Sequence, residues 1–427
     1  MRTNRIISIF AAFGLCVLSC GGTSGDNGTP FNPGGGGSFV PGASGDEGGG
    51  GGTPSDPSDG PLTITWSDEQ TIGSGGYGRA HRLNDGRLLM MFSRGGGVMS
   101  CYSSDNGYNW TTPAQQFQKL TITENGQTAY ANIVNPEFAQ LPPDHPTHPN
   151  RIIFSTNLRP VDSKTSVFPY SIGVSVSDDL GKTWTPISSV YQSDKWPGDV
   201  GKGCWEPFVL VLPDGTVQVY FSDETPYYRN NKTFQNISVV ESKDGGKTFG
   251  AARICAYTAG YRDGMPVLML YDNNIYLAIE HNASGQKLHP QIVRSTVSDN
   301  WSKTRPGDSS DRFDPFLTDI QAATIYTGAP YLIHTDNYFV LSYQSSKGSS
   351  VASHDHSVME VVACPVSEYR DGKFITMRGT TRPFTVDQVN DSGLWNSMCD
   401  LGGDSFLAVS QIKNHIVIAR GRITGTK

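Results

Sequence analysis

The chain has 427 residues, a net charge of -7 and no block of basic residues, which argues against a nucleic-acid partner. Its length exceeds what one ordinary hydrophobic core supports, so the folded part must be a repeat, a barrel or several units. Its seven cysteines have no metal-ligand spacing and no cofactor motif accompanies them, so neither a metal nor a cofactor is expected.

From the N-terminus, Arg2 and Arg5 precede an apolar run over 6–18 and then Ser19-Cys20-Gly21. A run this short between basic and small residues reads as an export signal, not a membrane span. Val17-Leu18-Ser19-Cys20 resembles the lipobox of bacterial lipoproteins, which implies a signal peptide over 1–19, cleavage before Cys20 and acylation of its thiol. Residues 20–60 hold many of the chain's 49 glycines and almost nothing apolar, the composition of a flexible tether. Lipid and tether together place the folded part, 61–427, outside the inner membrane of a bacterium, in the periplasm or at the cell surface. The lipid is its one expected membrane contact, and the domain itself reads as a monomer. The five cysteines beyond Cys20, namely Cys101, Cys204, Cys255, Cys364 and Cys399, read as small buried apolar residues.

Six hairpin patterns follow. The first runs from Arg79 through a turn at Asp85-Gly86 to Arg94, and the second from Asn135-Pro136-Glu137 through Asn150 to Arg159. The third, Gly203 to Glu224, turns at Pro213-Asp214-Gly215. The fourth runs from Gly264 to Glu280, the fifth from Ala329 to Gln344, and the sixth from Leu394 to Gln411. Asp-Gly between apolar runs is a strong hairpin signal. Successive copies are on the order of sixty residues apart, enough for one four-stranded sheet each.

A second repeat lies between the hairpins: Ser103-x-Asp105-x-Gly107-x-x-Trp110, Ser177-x-Asp179-x-Gly181-x-x-Trp184 and Ser242-x-Asp244-x-Gly246-x-x-Phe249, with a degenerate copy at Ser298-Asp299-Asn300-Trp301. The Asp carboxylate accepts backbone N–H groups, Gly takes a positive φ and the aromatic ring packs into the sheet. These segments resemble the Asp boxes of sialidase-like propellers, where they staple turns and take no part in chemistry. Together the two repeats predict an all-β, six-bladed β-propeller of sialidase type. Its ring must close, since an open edge invites pairing with other chains. The expected closure sets an early strand, 62–66, beside the C-terminal strand, 415–422.

Because paired strands run antiparallel, the first residue of one and the last of the next share a rim. The polar residues in those places are the candidate site: Arg79, Glu137, Glu206, Arg262, Asp263, Tyr331 and Asn396 from first strands, and Arg94, Arg159, Glu224, Glu280, Gln344 and Gln411 from returning strands. Trp205 is a candidate sugar-stacking ring. Gly203-Cys204-Trp205-Glu206-Pro207-Phe208, Asp263-Gly264-Met265-Pro266 with Glu280, and Leu394-Trp395-Asn396-Ser397 resemble the blade signatures of the glycoside hydrolase family 93 exo-arabinanases. That resemblance implies retaining hydrolysis of α-1,5-linked L-arabinan from the non-reducing end, with Glu206 and Glu280 as the catalytic pair. Retention needs one carboxylate as nucleophile and another as acid and then base, roughly 5 to 5.5 Å apart. We assign Glu206 as acid/base and Glu280 as nucleophile.

Two other readings stay open at this point. Tyr77-Gly78-Arg79-Ala80 resembles the first arginine motif of sialidases, which need three arginines to clamp a carboxylate and a tyrosine nucleophile. The third reading is a surface lipoprotein whose propeller binds glycan without cleaving it.

Overall fold

The computed structural model describes residues 62–425 apart from 125–126, 162–167, 194–202, 231–233, 283–286, 316–324 and 370–380. The export signal, Cys20 and the tether lie outside the described residues.

The apolar runs are strands buried on both faces. In Leu88-Leu89-Met90-Met91-Phe92, every side chain is fully buried, the signature of a sheet packed between two others. The strands form six antiparallel-built sheets. Blade one holds Gly76–Arg82, Leu88–Arg94, Gly97–Ser103 and Ala114–Phe117. Blade two holds Leu120–Glu124, Gln127–Gln140, Ile152–Pro160, Ser171–Ser177 and Ser188–Gln192. Blade three is built on Cys204–Val211 and Val217–Asp223, blade four on Asp263–Tyr271 and Asn274–His281, and blade five on Thr327–His334 and Tyr338–Ser345. Blade six combines Gly393–Gly402, Ser405–Ile412 and His415–Thr424 with strands from the other end of the domain. The six-bladed all-β propeller read from the sequence is therefore the observed fold. Its core lies between neighbouring blades: Leu277 and Val293 of blade four, for example, share one apolar cluster with Tyr331, Val340 and Val361 of blade five.

Closure uses two early strands where the sequence suggested one. Thr63–Trp66 pairs with the end of the last strand, Trp66 opposite Gly421, and Gln70–Ser74 pairs with its beginning, Gln70 opposite Ile418. Trp66 crosses the ring of Phe406 edge-on, centroids 5.4 Å apart, and its Nε1 donates to Thr381 Oγ1 at 2.9 Å. A Cβ on Gly421 would lie 2.7 Å from the Trp66 ring, so the indole fits only over a glycine.

The Asp boxes are the expected staples. Ser103 Oγ donates to Asp105 and accepts the Gly107 N–H, while Asp105 accepts the Asn109 N–H; the other two copies repeat these bonds. Hydrogen bonds from Asn109 to Asp105 and from Thr183 to Asp179 hold both carboxyls down at about 2. In the degenerate copy the serine that fills this role is Ser295 rather than Ser298: its Oγ donates to Asp299 and accepts the Trp301 N–H. The loop there has two more residues before the acid, which hid the spacing. All five described cysteines are free thiols and buried, as read.

Since Trp66 joins both ends of the ring, Trp66→Ala is expected to cost about 2–3 kcal/mol. The measurement is a urea titration, read as a lower midpoint at unchanged slope; a midpoint that does not move would mean the early strands do not seal the ring.

Candidate active site

The first strand of every blade breaks its pairing at the same place. Register shifts fall between Gly76 and Arg79, Val134 and Glu137, Trp205 and Phe208, Gly264 and Val267, Gly328 and Tyr331, and Leu394 and Ser397. Each bulge holds one non-glycine residue at positive φ: Tyr77 (55°), Asn135 (53°), Glu206 (54°), Met265 (49°), Ala329 (47°) and Trp395 (53°). That conformation is unfavourable for a residue with a Cβ, by roughly 1–2 kcal/mol. The residue that follows is Gly78, Pro136, Pro207, Pro266, Pro330 or Asn396, and proline gives up no ladder bond at a bulge. Bulges re-aim side chains. Tyr77, Met265 and Ala329, three of these bulge residues from separate blades, form one buried cluster, with Trp395 packed against it.

The second strands hold the bulges in place. Opposite the residue before each bulge stand Ser93, Asn157, Ser222, Glu280, Gln344 and Gln411. Several of these accept the bulge N–H of the next blade: Ser93 Oγ from Asn135 (3.2 Å), Ser222 Oγ from Met265 (2.8 Å), Glu280 Oε2 from Ala329 (3.1 Å) and Gln344 Oε1 from Trp395 (2.7 Å). Glu206 is the one acid among the bulge residues and Glu280 the one acid among the clamps.

These residues surround a cavity of about 450 Å³ lined by Tyr77, Asn135, Arg159, Trp205, Glu206, Glu224, Gln235, Arg262, Trp395 and Gln411, among others. Arg262 lies on its wall and donates through Nε to Glu280 Oε1 at 2.9 Å and through Nη2 at 2.5 Å. Glu280 adjoins the cavity through this pair and is itself 2% exposed. Glu224 accepts the Gly203 N–H at 3.0 Å and Gln235 Nε2 at 2.8 Å. Arg159 donates to Asn157 and Asn135 and lies over the Trp205 ring, 5.0 Å from its centroid. Burial, with the neighbouring carboxylates of Glu280 and Glu224, pushes the Glu206 carboxyl up to about 7 against the pull of Arg262 and Arg159. Burial works against the charge of Arg262, but Glu280, Glu206 and Glu224 outweigh it and hold its pKa above the usual arginine range. Burial also raises the Tyr77 hydroxyl to about 12. Among the described residues, two buried polar atoms of the wall have no hydrogen-bond partner, Trp205 Nε1 and Gln235 Oε1.

Of the residues singled out from the sequence, Arg159, Trp205, Glu206, Glu224, Arg262 and Gln411 come together on the cavity wall, with Glu280 behind Arg262. The others stand elsewhere. Arg79 is 2% exposed, with its guanidinium between the Tyr77 ring (3.8 Å) and the Tyr331 ring (5.4 Å), and Nε pairs with Glu137 at 3.3 Å. Tyr331 lines a second cavity of about 390 Å³ that is apart from the first, so this group lies between the two. Asp263 is fully buried in a network with His281 and Arg312. Gln344 is a clamp, and Arg94 is exposed at its strand end. The reason is register: Arg79, Glu137 and Tyr331 come two residues after the bulge position that Glu206 occupies, and Arg94 comes one after its clamp position. Asn396 is buried behind the sixth bulge, and Asn135, Trp395 and Gln235 were not singled out. The Asn-Pro, Glu-Pro, Met-Pro and Ala-Pro pairs give the signal that aligns the bulges, whereas Gln235 sits on an outer strand approach with no repeat to mark it.

No protein-family model matches the chain, and no curated protein matches it. Solved structures do. An α-L-arabinofuranosidase from Fusarium graminearum, a mutant bound to an iminosugar inhibitor, is 16% identical, with a TM-score of 0.58 over 83% of this chain and 97% of that one. A Hadza microbial sialidase is 12% identical, with a TM-score of 0.52 over 82% of this chain and 66% of that one. A protein of unknown function from Dyadobacter fermentans is 12% identical, with a TM-score of 0.59 over 84% and 99%. The structural neighbours of this propeller thus include both α-L-arabinofuranosidase and sialidase structures.

A raised carboxyl pKa carries a stability consequence. Below the ordinary glutamate range Glu206 is protonated in folded and unfolded chains alike and favours neither. As pH rises from there to about 7 the unfolded chain ionises first, so stability falls with pH across that window. Glu206→Gln, which never ionises, is expected to leave stability unchanged at pH 4 and to raise it by about 2–3 kcal/mol at pH 8. Urea titrations at the two pH values check this, and an equal effect at both would count against a protonated Glu206.

Proposed function

We propose that this protein is a retaining, exo-acting glycoside hydrolase that cleaves a plant polysaccharide, α-1,5-linked L-arabinan, at a lipid-anchored position outside the inner membrane. The observation that carries the reading is the pair of unlike carboxyls: Glu206 keeps its proton to about 7, while Glu280 is bonded through Oε1 to the Arg262 guanidinium. A retaining glycosidase needs that division of labour. Glu280 attacks the anomeric carbon as the glycosidic C–O bond breaks, and the departing oxygen takes the proton of Glu206. Water then gives its proton to Glu206 and displaces the Glu280 ester, restoring both groups.

The wall chemistry suits a sugar. Trp205, Trp395 and Tyr77 offer apolar faces, while Arg159, Trp205 Nε1 and Gln235 Oε1 offer donors and an acceptor for hydroxyls. Sialidase chemistry fits less well. Tyr77 holds its proton to about 12, and Arg79 is turned to the Gly78 and Trp395 carbonyls, at 2.9 and 3.1 Å, away from any substrate carboxylate.

Incubation with linear arabinan and, separately, with a sialyl glycoside tests the reading. Release of arabinose units is expected, with Glu206→Gln and Glu280→Gln each lowering kcat by about 10²–10⁴-fold. The glutamine at 280 is a fair probe of chemistry because Gln344 already makes the same clamp in blade five. The rate on arabinan should decline above pH 7 as Glu206 loses its proton. Release of sialic acid would sink the proposal, and binding of arabinan without turnover would leave a glycan-binding protein.

The anchoring half of the proposal has its own measurement. Cells fed labelled palmitate should label the protein and carry it in the membrane fraction, and Cys20→Ala should abolish both; a soluble wild-type protein would overturn it.

A further inference from the structure

Blade two differs from the others above the cavity. Its first strand, Gln127–Gln140, is longer than the equivalent strands, and its early half pairs with an added strand, Leu120–Glu124, on the axial side. The side-chain alternation of this three-stranded extension can be followed upward from the cavity wall. Val134 lines the cavity and pairs with Asn157; the next rung on that face is Asn132 with Arg159, and Arg159 also lines the cavity. One rung further, about 7 Å on, stand Tyr130 and Val161, joined by the Val161 N–H to the Tyr130 carbonyl at 2.9 Å. They are 53% and 50% exposed. Thr121 extends this rung on the added strand, and the last rung pairs Thr123 with Thr128, their hydroxyls 3.3 Å apart. The reverse face is apolar and covered: Ala129 and Ala131 are buried, and Leu120 packs against the core between blades one and two.

The extension is therefore anchored on one side and presents on the other an exposed aromatic ring among hydroxyls, continuous with the cavity wall. A ring flanked by small hydroxyl side chains is the surface that a sugar chain, apolar on its C–H face and polar at its edges, can cover. We infer that Tyr130 and Val161 form a platform for the sugar units of the polysaccharide that remain outside the cavity, so that the protein prefers a long chain to a short one. The inference rests on the glycosidase reading, since it assigns the direction in which the substrate leaves that site.

The test is chain-length dependence, measured as kcat/KM over a ladder of α-1,5-arabino-oligosaccharides and linear arabinan. For the unaltered protein kcat/KM should climb with length. In Tyr130→Ala the longest substrates should lose about tenfold relative to the shortest, while Tyr130→Phe, which keeps the ring, should retain the climb. A flat profile in the unaltered protein, or a Tyr130→Ala loss that is the same at every length, overturns the platform and leaves the hydrolase reading standing. Cleavage of no member of the ladder overturns the hydrolase reading and the platform with it.

Discussion

The bulge at positive φ, repeated in each blade, is the constraint on which the site depends. It breaks the ladder next to the axis, where an unbroken strand would turn alternate side chains into the neighbouring blades. A residue forced to about +50° costs free energy wherever it has a Cβ, and here none of the bulge residues is glycine. The cost is offset by a proline or small residue behind the bulge and, at Asn135, Met265, Ala329 and Trp395, by a side chain from the preceding blade that accepts the bulge N–H. Strain of this kind persists only where surrounding structure over-determines it. Ring closure supplies that structure, because each clamp comes from one blade and each bulge from the next.

On this frame the chemistry is a matter of which residue occupies each place. Most bulge positions carry apolar or amide side chains, and most clamps are serine, asparagine or glutamine. Glu206 and Glu280 replace neutral groups at one bulge and one clamp, and both are buried. Three buried carboxyls, with Glu224, then face two guanidiniums, Arg159 and Arg262, around one cavity. Full ionisation would leave an excess negative charge in a low-dielectric place, and protonation of Glu206 relieves it. Arg262 sets the two acids apart: it bonds Glu280 directly through Nε and Nη2, and the carboxyl pushed up is that of Glu206.

Much of the fold was legible because it repeats. Hairpin turns such as Asp214-Gly215 and the Asp-box serines, acids and glycines recur at similar intervals, and each has a local physical cause. Closure was legible in outline from the need to cover an edge, but the second closing strand, Gln70–Ser74, is too short and polar to stand out. The site was half legible. Glu206 and Glu280 could be found by aligning hairpins, yet Arg79, Glu137 and Arg94 were drawn in by a shift of one or two residues. A bulge inserts a residue without any change of composition, and a side chain one place away points elsewhere. The loop of the degenerate Asp box misled for the same reason, with Ser295 doing at a longer spacing what Ser298 was expected to do.

Glu280 shows why fold and activity separate so readily here. Its Oε2 performs the clamp duty that Ser93, Ser222 and Gln344 perform in other blades, while its Oε1 faces Arg262. A neutral residue would serve the first duty alone, so the ring keeps this clamp when the acid is exchanged for an amide, and what is lost is the pair with Arg262. Neighbouring structures can accordingly share the ring at 12–17% identity and still differ in the sugars their names record. What sets one blade apart from the next in this chain is confined to a few ring positions, Glu206 and Glu280 among them, and to the blade-two extension.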